Sequence, residues 1–375
     1  MSVSCLSLIP RGVQLLLLAA SVACGAQAQA PAAAAAPAAP VKPAMVLLLP
    51  APSSALGPAA EALRQGFFVA HQVSGDDITL QVVELDDSGE QLARALVSAR
   101  ERGAGLIVGP LPRAAVTDVV EGRRAEMPLL ALNFPESDGA APSSMLATSL
   151  SLEAEAQRVA TLALSEFIGT RRVDARPRIA VISRPGALER RIAQAYVNAA
   201  RAEGDVPVQV EWTAETTPRV AALLAEPSLE AVFLALSARD AAQLRAMIPR
   251  DLPIFGTSLL YAGDPVGSPE SATLAHDLEG IRFLDMPWLL QPEHPAVMIY
   301  PPPTAPWPLE LRRLYAFGID AYRLAIEWMK GERRFELDGV TGRLQVDRAR
   351  SLRVQRTPLL ATYRNGVLQR IDLTR

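Results

Sequence analysis

The residues of this sequence whose types fit chemistry are three histidines, two carboxylate pairs, a glycine cluster, two tryptophans and a scatter of Ser, Thr and Asn side chains. A metal site needs His, Cys or carboxylate partners at short, regular spacing. His71, His276 and His294 have no partner at ligand spacing and read as surface or core residues. Gly103-Ala104-Gly105 with Gly109 has the composition of a nucleotide loop, but it precedes a strand, whereas a dinucleotide loop follows one and opens a helix. No Gly-x-Ser-x-Gly elbow occurs. Neither lysine has a serine three residues before it: Ala39 precedes Lys42 and Glu327 precedes Lys330, which excludes a Ser-x-x-Lys acyl-transfer site. The pairs Asp86-Asp87 and Glu153/Glu155 fall at a strand end and in a helix first turn, where solvation and the helix dipole account for them. Trp288 and Trp307 are able to stack on a ligand, with burial near a hinge as the competing reading. What remains is Ser53, Ser54, Asn133, Ser183, Ser237 and Thr257, all expected at strand ends. Hydroxyls, amides and backbone N–H groups in such places hold a small carboxylate. The same residue types serve turns and helix caps, which is the reading favoured here. Pro50, Pro52, Pro110, Pro112, Pro135 and Pro185 remove donors from those very loops.

The elements that position these residues alternate between strand and helix. Met45–Leu49 is a continuous apolar run, as in a strand buried on both faces. Pro50-Ala51-Pro52-Ser53-Ser54 ends it. Gly57-Pro58 then opens a helix, with proline where its missing N–H costs nothing. Leu63, Phe67 and Ala70 form that helix's apolar stripe. The loop between strand and helix therefore lies where open α/β sheets place ligands. Further strands are expected at 78–85, 105–108, 128–132 and 145–149, with a helix behind the capping box Ser88–Gln91 and another from Arg113 to about Glu126. After a helix over 151–168 the pattern restarts, with strands at 178–182, 206–212, 231–236, 252–255 and 280–284 and helices at 187–202, 220–224 and 241–247. A proline-dense stretch leads to the longest helix, Leu309–Lys330, whose stripe is Leu311, Leu314, Tyr315, Gly318, Ala321, Tyr322 and Ala325. A strand at Gly342–Val346 and a hairpin of 359–363 with 367–371 across Asn365-Gly366 end the chain. The alternation predicts an α/β fold of two doubly wound parallel-sheet lobes joined by a multi-strand hinge. The expected boundaries are 44–150 plus 286–338 for lobe 1 and 151–285 plus 339–375 for lobe 2. Gly342–Val346 and the last hairpin are expected to complete lobe 2, with Leu309–Lys330 in lobe 1.

Composition fits two such lobes. A chain of 375 residues exceeds one small core, and with a net charge of −3 and no long basic run nucleic acid is not an expected partner. The N-terminus reads as an export leader, residues 1–28: Arg11 as the positive flank, Val13–Ala23 as the apolar core and Ala26-Gln27-Ala28 as a cleavage site. The core is too short for a permanent membrane span. Ser21-Val22-Ala23-Cys24 resembles a bacterial lipobox, with Ser21 where an aliphatic residue is usual, so Cys24 is the candidate for lipidation and cleavage near Gln29 is the alternative. Both cysteines, Cys5 and Cys24, lie in this leader region, leaving none for a disulfide beyond it. Residues 29–43 read as an Ala/Pro tether.

The two-lobed pattern from Ala44 onward resembles a type I periplasmic binding protein. Four segments resemble a narrower group, the penicillin-binding protein activator family: LLLPAPSSALGPAAEALRQGFF as its opening strand, loop and helix, IVGPLPRAAV and PLLALN as its next strand-loop signatures, and LDGVTGRLQVD as its late hairpin. The resemblance implies a non-catalytic periplasmic protein, anchored to the outer membrane as a lipoprotein, that binds a class A penicillin-binding protein and stimulates peptidoglycan cross-linking. No cofactor and no metal is expected. The larger members carry an N-terminal helical-repeat domain, whereas an Ala/Pro tether precedes Ala44 here. The competing reading is a periplasmic solute-binding protein of an importer for an amino acid or small amide. An enzyme is the third reading, opposed by the missing nucleophile, metal set and phosphate loop.

Overall fold

The computed structural model describes residues 44–372 apart from 87, 88, 123, 138, 168–177, 265 and 266. The expected leader, the tether, Cys24, and Asp87 and Ser88 lie outside the described residues. The first sheet is built from β1 (Ala44–Pro50), α1 (Gly57–Ser74), β2 (Thr79–Leu85), α2 (Gly89–Glu101), β3 (Ala104–Val108), α3 (Arg113–Glu121), β4 (Leu129–Ala131) and β5 (Met145–Ala147). Its strands run in the order β2-β1-β3-β4-β5, all parallel. The apolar run of β1 is continuous because both faces of this strand are covered. Met45, Leu47 and Leu49 enter one core, and Val46 and Leu48 enter the other.

From α4 (Leu152–Phe167) the chain passes to β6 (Arg178–Ser183), α5 (Ala187–Ala202), β7 (Val208–Glu211), α6 (Thr217–Leu224), β8 (Leu229–Ala235), α7 (Ala238–Arg245), β9 (Ile254–Gly256), α8 (Pro269–Asp277) and β10 (Arg282–Asp285). These strands run parallel in the order β7-β6-β8-β9-β10, which repeats the winding of the first sheet. Helix α8 has no apolar stripe and was not expected from periodicity. Its local signal is Ser268, whose hydroxyl accepts from Ser271 N–H, followed by Pro269 and Glu270 in the first turn. Helix α3 stops earlier than the expected Glu126, at Gly122.

The rest comprises α9 (Pro287–Leu290), α10 (Pro295–Met298), α11 (Leu309–Met329), β11 (Arg334–Gly339), β12 (Gly342–Asp347), β13 (Gln355–Thr357), β14 (Leu359–Arg364) and β15 (Val367–Ile371). Strands β14 and β15 extend the second sheet, antiparallel, beyond β10. Their turn has Asn365 at φ 54° and Gly366 at φ 71°, the pair of left-handed residues that a two-residue hairpin demands.

Helix α11 packs on α1 in the first lobe, as expected. The strand at Gly342–Val346 departs from expectation. Instead of completing the second sheet, β12 pairs with β11 and β13 in a three-stranded antiparallel sheet of its own. The cause is local: Gly339 pairs with Gly342 across the two-residue loop Val340-Thr341, so the chain folds back on β11. The next segment then runs along β5, where Ala147 N–H donates to Leu352 O and Val354 N–H to Ala147 O, each at 2.8 Å.

Candidate functional site

In both sheets the winding reverses beside the strand that opens the repeat, between β1 and β3 and between β6 and β8. Such switch points are where doubly wound sheets hold ligands. At the first, the β1–α1 loop closes on itself: Ser54 N–H donates to Ala51 O at 2.9 Å and Gly57 N–H to Ser54 O at 3.0 Å. Ser53 is exposed, and the Ser54 hydroxyl is buried with no partner among the described residues. Gly57 is fixed by packing, since a Cβ there would collide with the Pro52 carbonyl oxygen. Asn133, after β4, is a brace: its amide donates to Leu111 O at 3.3 Å, and its oxygen accepts from Phe134 N–H at 3.0 Å and from the Ser149 hydroxyl at 3.1 Å.

At the second switch point Arg184, Asp240 and Ser237 are already engaged with one another or with Trp212. Arg184 lies 4.0 Å over the Trp212 ring and donates to Asp240 at 2.7 Å and to Trp212 O at 3.2 Å. Ser237 caps α7, accepting from Asp240 N–H and donating to its carboxylate at 2.7 Å. Ser183 and Thr257 are fully buried, and their hydroxyls have no partner among the described residues. Of the six sequence candidates, then, two are in a self-closed turn, one braces loops, one caps a helix and two are sealed in the interior. Among the described residues, Ser237 is the one of the six whose side chain hydrogen-bonds a charged side chain, its own helix's Asp240.

The concentrated chemistry lies instead where the chain passes between the sheets. Glu153, in the first turn of α4, takes Arg113 at 3.3 Å, Arg191 at 3.1 Å and the Ser151 hydroxyl at 2.9 Å. Glu155, two residues further along the helix, accepts from Ser258 N–H at 2.9 Å and from Arg356 at 3.1 Å. The Glu155 and Arg356 side chains are 6% and 8% exposed, so this is a desolvated ion pair. Arg313 of α11 donates to Asp285 at 2.6 Å and to Ser258 O at 2.9 Å. Burial is the largest influence on both: it pushes the Asp285 carboxyl up and opposes charge on Arg313, whose pKa rises nonetheless because Asp285 faces it. Asp320 accepts from Val340 N–H at 3.0 Å, Thr341 N–H at 2.8 Å and the Thr341 hydroxyl at 2.6 Å. Glu155 and Asp285 thus tie passages between the sheets, and Asp320 fixes the turn between β11 and β12. Local pattern gives no sign of Arg313 or Arg356. Asp320 did leave one, as a lone acid inside the otherwise apolar Tyr315–Tyr322 stretch.

Chemically, these groups are matched donors and acceptors. Among the described residues no three His, Cys, Asp or Glu side chains gather as a metal site, and no helix is long and apolar enough to cross a membrane. Trp288 and Trp307 both pack against Tyr315, with ring centroids 5.4 and 6.1 Å away.

Two parallel sheets wound alike, joined by three passages, define the type I periplasmic-binding-protein class. Within it, this chain belongs to the family described as LppC putative lipoprotein, whose model matches residues 40–225 and 224–366. Among curated relatives, the penicillin-binding protein activator LpoA of Photobacterium profundum is 25% identical over 316 residues, covering 76% of this chain and 51% of that protein. LpoA of Yersinia pseudotuberculosis is 26% identical over 311 residues, covering 70% of this chain and 46% of that protein. The chain spans about half the length of the curated relatives it matches. Among solved structures, a putative branched-chain amino acid ABC transporter from Chromobacterium violaceum aligns with TM-score 0.70 and 33% identity, over 86% of this chain and all of that one. The LpoA C-domain of Haemophilus influenzae, described as a regulator of PBP1A, aligns with TM-score 0.69 over 88% of this chain and all of that one, and at 20% identity it shows the fold alone.

Proposed function

We propose that this chain is a non-catalytic envelope protein that binds a class A penicillin-binding protein and activates its peptidoglycan cross-linking. The carrying observation is the family match over 40–366 together with curated relatives that are named as such activators. The ion pairs and hydrogen-bonded carboxylates where the chain passes between the sheets support binding and regulation rather than turnover. In this reading residues 44–150 with 286–338 and 151–285 with 339–375 act as the two lobes, although segment 351–354 lies along the first sheet. The protein is exported and held in the periplasm, at the outer membrane if Cys24 is lipidated and free if cleavage falls near Gln29. Ser53, Ser54, Asn133, Ser183, Ser237 and Thr257 serve turns, caps and packing. The test adds the exported chain to a class A synthase from the same cell and measures cross-links. Increased cross-linking with synthase, and none from the chain alone, is the expected result; no binding and no stimulation at micromolar concentration would end this reading.

A second reading, a solute-binding protein of an importer, is favoured by the 33% identity to the Chromobacterium violaceum chain. A plain amino acid that raises the melting temperature reproducibly would promote it.

A further inference from the structure

Residues 295–309, PAVMIYPPPTAPWPL, contain no charged side chain, and two of the most exposed large apolar residues sit side by side there: Met298 at 66% and Ile299 at 53% exposure. An uncharged apolar surface of this kind marks a contact site more often than an accident of folding. The segment is held in one shape. Tyr300 N–H donates to Val297 O at 3.0 Å, Trp307 N–H to Ala305 O at 2.8 Å, and the Tyr315 hydroxyl to Pro301 O at 2.7 Å. Six prolines restrict the backbone further. A surface already ordered loses less entropy when something docks on it.

The segment walls a groove of about 660 Å³ lined by Trp288, Met298, Tyr300, Pro302, Trp307 and Arg312, among others. Arg312 is the one charged residue in that lining. Its neighbour Arg313 is paired with Asp285, whereas Arg312 forms no ion pair among the described residues. Glu293 and Glu310 are exposed nearby but do not line the groove. An aromatic groove walled by proline suits flat, donor-poor side chains, as in the recognition of extended proline-rich segments. A free guanidinium on its wall calls for a carboxylate, which it grips in a planar, two-pronged way.

We infer that this groove is a docking site for an extended peptide segment rich in proline and aliphatic residues and carrying an acidic side chain opposite Arg312. That the segment belongs to the synthase rests on the function proposed above; the peptide chemistry does not.

Two measurements on the full exported chain separate the two. The first is fluorescence anisotropy with a labelled peptide of repeating Pro-Pro-Leu-Glu units and its Pro-Pro-Leu-Lys counterpart. The acidic peptide is expected to bind about tenfold more tightly, Arg312→Glu to reverse the preference, and Met298→Ser to weaken both, since a hydrogen bond to a charged group accounts for a factor of that size. Val206→Glu, at another highly exposed apolar position, serves as the control and is expected to change nothing. Equal affinity for both peptides, binding of neither, or binding of purified glycan strands in place of peptide would overturn the inference. The second is synthase stimulation, with melting curves confirming that each variant is folded. Met298→Glu and Arg312→Glu are expected to lose stimulation. Wild-type chain that binds the acidic peptide but never stimulates a synthase defeats the proposed function and leaves the groove standing. Stimulation that survives both substitutions, with no peptide preference, defeats the groove and leaves the function standing.

Discussion

Arg113, at the start of α3 on the first sheet, and Glu153, at the start of α4 on the second, meet at 3.3 Å. Glu153 also takes Arg191 of α5, so one carboxylate joins cations from both lobes. Burial opposes its ionisation, but its own backbone N–H, the Ser151 hydroxyl and the two guanidinium groups outweigh that and hold its pKa below the ordinary 4.5. The sign follows. A carboxyl whose folded pKa is depressed stabilises the fold above its unfolded value, and that stability is lost as pH falls through the folded one. Glu153→Gln should therefore cost on the order of 1 kcal/mol at neutral pH, for a pair this partly exposed. The difference from wild type should close on acidification below about 4.5. Urea unfolding across that pH range measures it, and a gap that stays constant with pH would refute the assignment.

Gly66 of α1 and Gly318 of α11 make reciprocal close approaches. A Cβ at Gly66 would strike the Tyr315 carbonyl oxygen, and one at Gly318 would strike the Leu63 carbonyl oxygen. Alanine favours a helix by about 1 kcal/mol over glycine, so propensity alone predicts stabilisation. Backbone collision predicts the reverse, because neither carbonyl has anywhere to move without separating two helices. Overpacking of this kind costs typically about 1–3 kcal/mol. Gly66→Ala and Gly318→Ala should each lower the melting temperature. A melting point at or above wild type would mean the helices have room.

Asp320 holds the Val340-Thr341 loop by three hydrogen bonds from inside α11. Asp320→Ala leaves two N–H groups and a hydroxyl without their acceptor. At about 1–3 kcal/mol for each unmatched buried group, a loss of about 3 kcal/mol or more is expected. Asp320→Asn keeps an acceptor oxygen and should lose less. The denaturant midpoint reads both, and an alanine variant as stable as the asparagine one would show that the loop holds without this clamp.

Strand and helix order was legible because burial imposes period on sequence. The unbroken Met45–Leu49 run announced a two-faced strand, and Asn365-Gly366 announced a hairpin that the backbone angles bear out. Gly342–Val346 read correctly as a strand but not as to its sheet, since alternation specifies a buried face and not a neighbour. The fold-back at Val340-Thr341 chose β11. The tie between the sheets was legible only in part. Glu153 and Glu155 stood out as a pair, but their partners Arg113, Arg191 and Arg356 come from three distant elements, and one arginine among many carries no mark of the acid it will meet. The Ser/Thr/Asn set illustrates the opposite limit. Position at a strand end was read correctly, while the burial of Ser183 and Thr257 was not, because whether a hydroxyl faces a ligand or the core depends on packing above the loop.

That burial leads to the last prediction: free amino acids are not held tightly at the strand ends. A carboxylate ligand needs open hydroxyls and backbone donors. Ser183 and Thr257 are fully buried. Ser237 is engaged by Asp240, Asn133 by Leu111, Phe134 and Ser149. Around β1, Gly57 N–H already donates to Ser54 O and Pro58 has no donor to give. Ser53 and Ser54 are what is left. A ligand at about 100 times its dissociation constant would stabilise the fold by about 2.7 kcal/mol. In a chain of this length that appears as a melting shift of about 2–4 °C. The screen uses each amino acid and a set of muropeptide fragments, on protein unfolded and refolded to remove carried-over ligand. The amino acids should give no shift, and Ser53→Ala with Ser54→Ala should melt like wild type in every condition. A shift of that size with a plain amino acid, abolished by the double substitution, would place a solute site in the β1–α1 loop and turn the assignment toward the importer.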